Sequence, residues 1–233
     1  MKLEAYTFKT EMHAHTKPAS VCSEIYPAEV VENYARLGWS SVVISNHFYP
    51  GMRYYGEKEK CIAAYLADFD QAAEAGERLG VHVILGCEIR FSENANDYLL
   101  FGIDKPFLSE AYEYLERGIA AFSRMFRGPG RVLLQAHPFR SGMALADPAV
   151  LDGIETFNMH PGHNSRVAVA AKYAREHDML VSAGTDFHHH GHAGMAGIIT
   201  QAPVKDARDA AAVLKSRDYL FTVGGNIVLP YAQ

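Results

Sequence analysis

Residues 6–15 read Tyr-Thr-Phe-Lys-Thr-Glu-Met-His-Ala-His, and residues 41–47 read Ser-Val-Val-Ile-Ser-Asn-His. Each is a strand-like run that ends in histidine, and the pattern recurs outward along the chain. Residues 81–85 lead into Gly86-Cys87-Glu88, residues 131–135 into Ala136-His137-Pro138, and residues 179–182 into the neighbourhood of Asp186-Phe187-His188. Further short apolar runs at 98–103, 153–157, 197–200 and 219–223 read as strands. Between them, residues 27–37, 57–79, 109–126 and 206–216 carry helical periodicity. Pro27 stands at a first turn, Gly38 after a last one, and Ser109 at a cap position. Strands alternating with helices predict an α/β fold with a parallel sheet, with roughly seven βα units closed into a barrel. In such a barrel the C-terminal strand ends share one mouth, where catalytic groups collect.

The bulk composition fits one domain spanning residues 1–233. An apolar share of 48% is enough to bury a core without disulfides or a structural metal. Any metal is therefore expected to serve chemistry. Cys22, Cys61 and Cys87 show no paired spacing, which fits a reducing cytoplasm, the expected location. No leader-like or membrane-spanning apolar run occurs. The formal charge of −5 leaves no basic surplus for coating nucleic acid, so no stable nucleic-acid or membrane partner is expected.

Twelve histidines are present, and their positions matter more than their number. Residues i and i+2 of an extended segment point the same way, so His13 and His15 can reach one ion. Asp186 and His188 repeat that spacing with a carboxylate. Glu88 has two oxygens and can bridge two ions. A lone His-x-His, His-Pro or Asp-x-His is more often surface or core than ligand. Five such fragments at five strand ends are not what chance delivers. Nitrogen and oxygen donors without an evident thiolate suit Zn²⁺, Mn²⁺ or Fe²⁺ rather than Ca²⁺.

The segments EMHAH (11–15), VVISNH (42–47), LGCEIRF (85–91), LLQAHPF (133–139) and SAGTDFHH (182–189), in this order, resemble the polymerase and histidinol phosphatase (PHP) family of metallophosphoesterases. The resemblance implies a distorted (β/α)7 TIM-like barrel, two or three divalent ions at its mouth, and phosphate ester hydrolysis by metal-activated hydroxide. It places His13, His15, Glu88 and Asp186 on one ion, Glu88 and His137 on a second, and His47 and His188 on a third. Three positions depart from the family pattern. The stretch after His15, TKPASVCSE, offers Cys22, or Glu24 slightly late, where the family has a carboxylate or histidine. Asn46 stands for an aspartate. Asp97 stands where a histidine is expected and is a possible ligand, as is Cys22.

Around the expected mouth, Arg90 and Arg140 are candidates for binding phosphate, and His160 and His163 for protonating a leaving group. For each arginine a solvated or ion-paired role is as common. The His189, His190, His192 stretch reads as a polar loop, and Phe48, Tyr49, Arg53, Tyr54 and Tyr55 as a packed surface loop rather than a lid. Cys61, His82 and His177 read as structural. The expected substrate is a small phosphomonoester, as for a histidinol phosphatase. Two other classes remain open: a metal-dependent amidohydrolase, which shares an opening His-x-His and a late aspartate, and a metal-binding or regulatory protein without catalysis.

Overall fold

The computed structural model describes residues 3–231. Strand β1 (Phe8–Ala14) is followed by α1 (Pro27–Arg36), β2 (Ser41–Ile44), β3 (His47–Phe48) and the long α2 (Lys58–Leu79). Then come β4 (His82–Leu85), β5 (Cys87–Arg90), β6 (Asp97–Phe101), α3 (Phe107–Tyr112), α4 (Gly118–Phe126) and β7 (Val132–Gln135). The chain continues through β8 (Gly153–Asn158), α5 (Val167–Glu176), β9 (Leu180–Gly184), β10 (Ala196–Thr200), α6 (Ala207–Ser216), β11 (Leu220–Val223) and β12 (Asn226–Val228).

The α/β class is as expected, but the sheets are not one closed parallel barrel. They are two six-stranded sheets, ordered β12-β11-β10-β1-β2-β4 and β3-β5-β6-β7-β8-β9. Parallel pairs β1/β2, β2/β4, β3/β5, β7/β8 and β8/β9 form the βα framework. Antiparallel pairs interrupt it at β5/β6, β6/β7, β1/β10, β10/β11 and β11/β12. The reason is local. Strands β5 and β6 are joined only by the turn-rich segment 91–96, too short for a parallel crossover, and β7 returns antiparallel to β6 after the helices α3 and α4.

The two sheets adjoin where strands break. The chain passes from β2 to β3 through Ser45 and Asn46, and from β4 to β5 through Gly86. Gly86 N donates to Ile44 O at 3.0 Å and Glu88 N to Asn46 O at 3.0 Å. On the other side, a bridge joins Ala14 to Phe187, just beyond β9. His47 and Glu88 therefore sit on short second strands after the breaks, rather than on loops.

The expected helix 109–126 is two helices. Residues 113–117 separate them, and α4 restarts at Gly118, at φ +75°, where Glu93 occupies the space beside it and accepts from Ile119 N. Helix α6 opens on Asp206, whose carboxylate accepts from Arg208 N and Asp209 N at 2.8 and 2.9 Å. It packs against β4, β6, β7 and β9, strands of both sheets, through buried Ala210, Ala211 and Leu214. Because Asp97 begins β6 and Gly102 follows its end, and Gly102 lies against Ala211, α6 covers the end of the core away from Asp97.

The break at Gly86 is tightly packed: a Cβ there would stand 2.5 Å from Val43 Cγ1. Gly86→Ala is expected to destabilise the protein by about 1–3 kcal/mol through overpacking. The shift of the urea unfolding midpoint measures it.

Candidate metal centre

The end of β1 turns His13 and His15 to one side, as residues i and i+2 of an extended segment, while a register shift after Glu11 directs that carboxylate to Tyr34 instead. Glu11 and both histidines are fully buried. Each imidazole has one nitrogen already committed, which fixes the other. His13 Nδ1 lies 2.9 Å from Glu155 Oε1, and its N–H donates to that carboxylate. Ser20 gives its hydroxyl proton to Asn46 Oδ1 at 2.9 Å, so His15 Nδ1, 3.0 Å from the same hydroxyl, must be the donor. The Asn46 amide is itself fixed, because Oδ1 accepts from Thr16 N at 2.7 Å and Nδ2 donates to Thr16 Oγ1.

The Nε2 atoms of His13 and His15 consequently face one another, 3.0 Å apart. Two lone pairs at that distance repel unless positive charge lies between them. Glu88 Oε1 stands 3.3 Å from His13 Nε2 and Oε2 3.4 Å from His15 Nε2. Asp186 Oδ1 stands 3.5 and 3.3 Å from the same two nitrogens. Donors held about 2.1 Å from a single tetrahedral ion stand roughly 3.4 Å from one another. The four side chains thus have the spacing and chemistry of one coordination shell.

Electrostatics says the same. Burial would raise the Glu88 carboxyl, but His47 and His13 outweigh it and hold Glu88 well below the usual carboxylate range. Burial likewise opposes Asp186, and His13 with the hydrogen bonds of His15, His163 and His188 holds it well below its ordinary value. Both are carboxylates at neutral pH. Burial pulls His13 down, yet Asp186, Glu155 and Glu88 together raise it well above the ordinary value, whereas burial and the charges of His188 and His47 lower His15. The carboxylates demand positive charge at this nitrogen pair, and a divalent cation satisfies that demand better than a proton.

A second grouping forms on the other side of Glu88. His137 Nε2 lies 3.1 Å from Glu88 Oε1 and 3.8 Å from Asp97 Oδ2. Its Nδ1 is buried without a hydrogen-bond partner. Asp97 comes to this mouth from the start of β6 because that strand runs antiparallel to its neighbours. Its two oxygens are held by Arg90 Nε and Nη2 at 2.7 and 2.9 Å. A third grouping brings His15, His47 and His188 together, with ligand nitrogens within 4.8 Å of one another. His47 Nδ1 meets Glu88 Oε2 at 2.7 Å, and His188 Nδ1 meets Asp186 O at 2.8 Å. All seven residues expected as ligands thus lie in one cluster. His137 and Asp186 hold positive φ, +30° and +53°, a backbone cost of order 1–3 kcal/mol each that the surrounding bonds sustain.

The pocket above, about 320 Å³, is lined by Arg90, Arg140, His160, His163 and His189 with the cluster beneath. Arg140 Nη1 lies 3.2 Å from His163 Nε2, and His163 Nδ1 3.3 Å from Asp186 Oδ2. His160 stacks on His163 at 3.9 Å. Burial, with the charges of His163, His188 and His189, brings His160 down to about 4 despite Asp186. It therefore faces the pocket as a neutral imidazole at pH 7. The loop after His47 is packed: Phe48 is buried, and Tyr54 lies under Arg53 and Lys60. Cys61 is buried in the core, and His177 caps α5 beside Tyr173.

The pattern shared by PHP domains matches residues 11–220. The chain belongs to the PHP domain family. No curated protein sequence matches it. Among solved structures, this PHP domain is similar to a two-domain protein from Bacteroides vulgatus described as containing a predicted PHP-like metal-dependent phosphoesterase. The identity is 16%, over 96% of this chain and 67% of that one, with a TM-score of 0.65. An amidohydrolase from Chromobacterium violaceum with bound sulfate is similar at 17% identity over 78% of this chain and 88% of that one, TM-score 0.54. A metal-dependent phosphoesterase assignment accompanies a third, from Bifidobacterium adolescentis, at 19% identity over 78% and 88%, TM-score 0.50. These likenesses establish that the PHP fold is shared.

Sequence reasoning missed the residues beneath the candidate ligands. Glu155 joins His13 Nδ1 to His137 N (3.0 Å) and Asn158 Nδ2 (2.9 Å), and Asn158 in turn donates to Asp186 Oδ2 at 3.0 Å. The available signal was an acidic residue inside the apolar strand run GIETFN. Glu11 accepts from His13 N and Thr185 N, both at 2.9 Å, and from Tyr34 Oη at 2.5 Å, tying β1 to β9. Glu155→Gln is expected to weaken metal binding about 10- to 100-fold while the fold persists, because a neutral amide offers one acceptor oxygen where the carboxylate uses both, and no charge behind His13. Isothermal titration with Zn²⁺, alongside circular dichroism, measures both.

Proposed function

We propose that this PHP domain is a metal-dependent hydrolase of phosphate esters that acts on a small phosphomonoester. The observation that carries the reading is the inward convergence of His13, His15, Glu88 and Asp186, with each imidazole's other nitrogen already bonded. His13, His15, Glu88 and Asp186 would hold one divalent ion, Glu88 and His137 with Asp97 a second, and His47 and His188 a third. Zn²⁺, Mn²⁺ and Fe²⁺ suit that donor set. Such ions supply Lewis acidity and an ionised water at neutral pH, so no protein nucleophile is required.

The chain's own residues supply the rest. Arg140, with its guanidinium at the mouth and only 4.0 Å from Asp97 Oδ2, is placed to take phosphate oxygens. Arg90 is clamped by Asp97 and lends a fixed positive charge to the same wall. His163 Nε2, 3.2 Å from Arg140 Nη1, accepts from the guanidinium and orients it, while its Nδ1 lies 3.3 Å from Asp186 Oδ2. His160, neutral at pH 7, accepts from Gly162 N at Nδ1 (3.0 Å), so its Nε2–H is a donor for a substrate or leaving-group oxygen. A pocket of about 320 Å³ admits a compact ester rather than a polymer.

The bound sulfate of the Chromobacterium amidohydrolase, an anion of phosphate shape, agrees with a fold that takes tetrahedral oxyanions. A panel of phosphomonoesters, phosphodiesters, lactones and amides, run with each metal in turn, tests the proposal. Turnover of phosphomonoesters is expected, lost on chelation and restored by metal. Turnover confined to lactones or amides would overturn it, as would metal binding with no hydrolysis. His15→Ala and Asp186→Ala are expected to abolish activity with an unchanged circular dichroism spectrum. Arg140→Ala is expected to raise KM about 10- to 100-fold, the worth of a charge-assisted hydrogen bond.

A further inference from the structure

Within the third group of imidazoles stands a sulfur. Cys22 Sγ lies 3.1 Å from His188 Nε2 and also faces His47. The His188 nitrogen it meets is the free one, because His188 Nδ1 is spent on Asp186 O at 2.8 Å. His47 turns its Nδ1 to Glu88 Oε2, 2.7 Å away. The rings are gathered: His188 stacks on His15 at 4.1 Å, and His47 lies 4.5 Å from His15. A nitrogen and a sulfur sharing one tetrahedral ion stand roughly 3.5 Å apart, so a shift of a few tenths of an ångström accommodates both.

The segment that carries Cys22 is built to hold it there. Ser20 N donates to Thr16 O at 2.8 Å, Ser23 N to Ser20 O at 3.1 Å, and Ser23 Oγ to His15 O at 3.2 Å. Glu24 N donates to His188 O at 2.9 Å. The chain on both sides of Cys22 is therefore tied to the His15 and His188 segments, and Ser20 Oγ accepts from His47 N at 2.9 Å. Glu24, the other candidate in this stretch, is exposed and pairs with His189 at 3.3 Å, away from the cluster. Cys61 and Cys87 are buried, while Cys22 opens onto the mouth.

We infer that Cys22 is a thiolate ligand, completing with His47 and His188 a sulfur–nitrogen site for the third ion. This inference rests on the metal-dependent reading above. It takes the place of the oxygen or nitrogen donor expected after His15, and binding releases the thiol proton to solvent. A thiolate favours Zn²⁺, Fe²⁺ and Co²⁺ over the harder Mn²⁺ and Mg²⁺. The three sites of one cluster would then differ in metal preference, with the outermost the most selective.

Cobalt reports the bond directly. Titration of the chelator-treated protein with Co²⁺ is expected to give d–d absorption together with a near-ultraviolet sulfur-to-cobalt charge-transfer band. Cys22→Ser should lose that band and bind one ion fewer, while Cys61→Ser keeps both. Cobalt binding without the band, or a band that survives in Cys22→Ser, overturns the thiolate site and leaves the metal centre standing. Absence of any cobalt binding overturns both. The wild-type protein gives a second readout that needs no variant. Saturating Zn²⁺ should slow iodoacetamide modification of Cys22, followed by peptide mass, on the order of tenfold. An unchanged rate overturns the inference.

Discussion

The hydrogen bond from His13 Nδ1 to Glu155 is the contact on which the rest of the centre depends. It decides which face of the imidazole is bare, and so decides that two nitrogen lone pairs meet in the middle of the molecule. Everything adjacent answers that conflict. Glu88 and Asp186 bring negative charge, Asn158 couples Glu155 to Asp186, and Ser20 with Asn46 makes the same choice for His15. A buried carboxylate behind a ligating histidine raises the basicity of the nitrogen in front and locks the ring's orientation. The candidate centre is therefore organised by its outer layer as much as by the residues that would ligate an ion.

The sheets are broken where the chemistry requires. Continuous ladders through Asn46 and Gly86 would keep β2 and β4 in regular register. Because the strands break there, His47 and Glu88 restart on short segments that pair with each other, His47 opposite Glu88. The antiparallel β6 has a related effect: it lets a residue from the beginning of a strand join residues from the ends of others. An idealised parallel barrel could not place Asp97 beside His137 in this way.

How much of this the sequence discloses depends on the range of the interaction. Alternation of strands and helices, and the five histidine- or carboxylate-bearing segments, are local patterns, and the structure gathers those seven residues as the patterns imply. Strand direction is not local. Residues 97–101 look the same whether they pair parallel or antiparallel, so the expected closed barrel gave way to two sheets. The helix break before Gly118 was hidden by unbroken apolar periodicity on either side. Glu155 was hidden for the opposite reason, being a single polar residue in a strand that otherwise reads as core. For Arg90 the sequence left phosphate binding and an ion-paired role equally open, and the structure pairs it with Asp97, seven residues on, across the β5/β6 pair. Membership of the PHP family follows from the pattern over residues 11–220, whereas the supporting layer follows only from coordinates.

Helix α6 covers the end of the core opposite the mouth and bridges strands of both sheets. The pocket above the cluster lies at the other end, lined by Arg90 and Arg140. Under the proposed function, the phosphate released from an ester would meet the same guanidinium that received it. Free phosphate would then compete with the ester for Arg140, and accumulated product would slow turnover without a separate regulatory site.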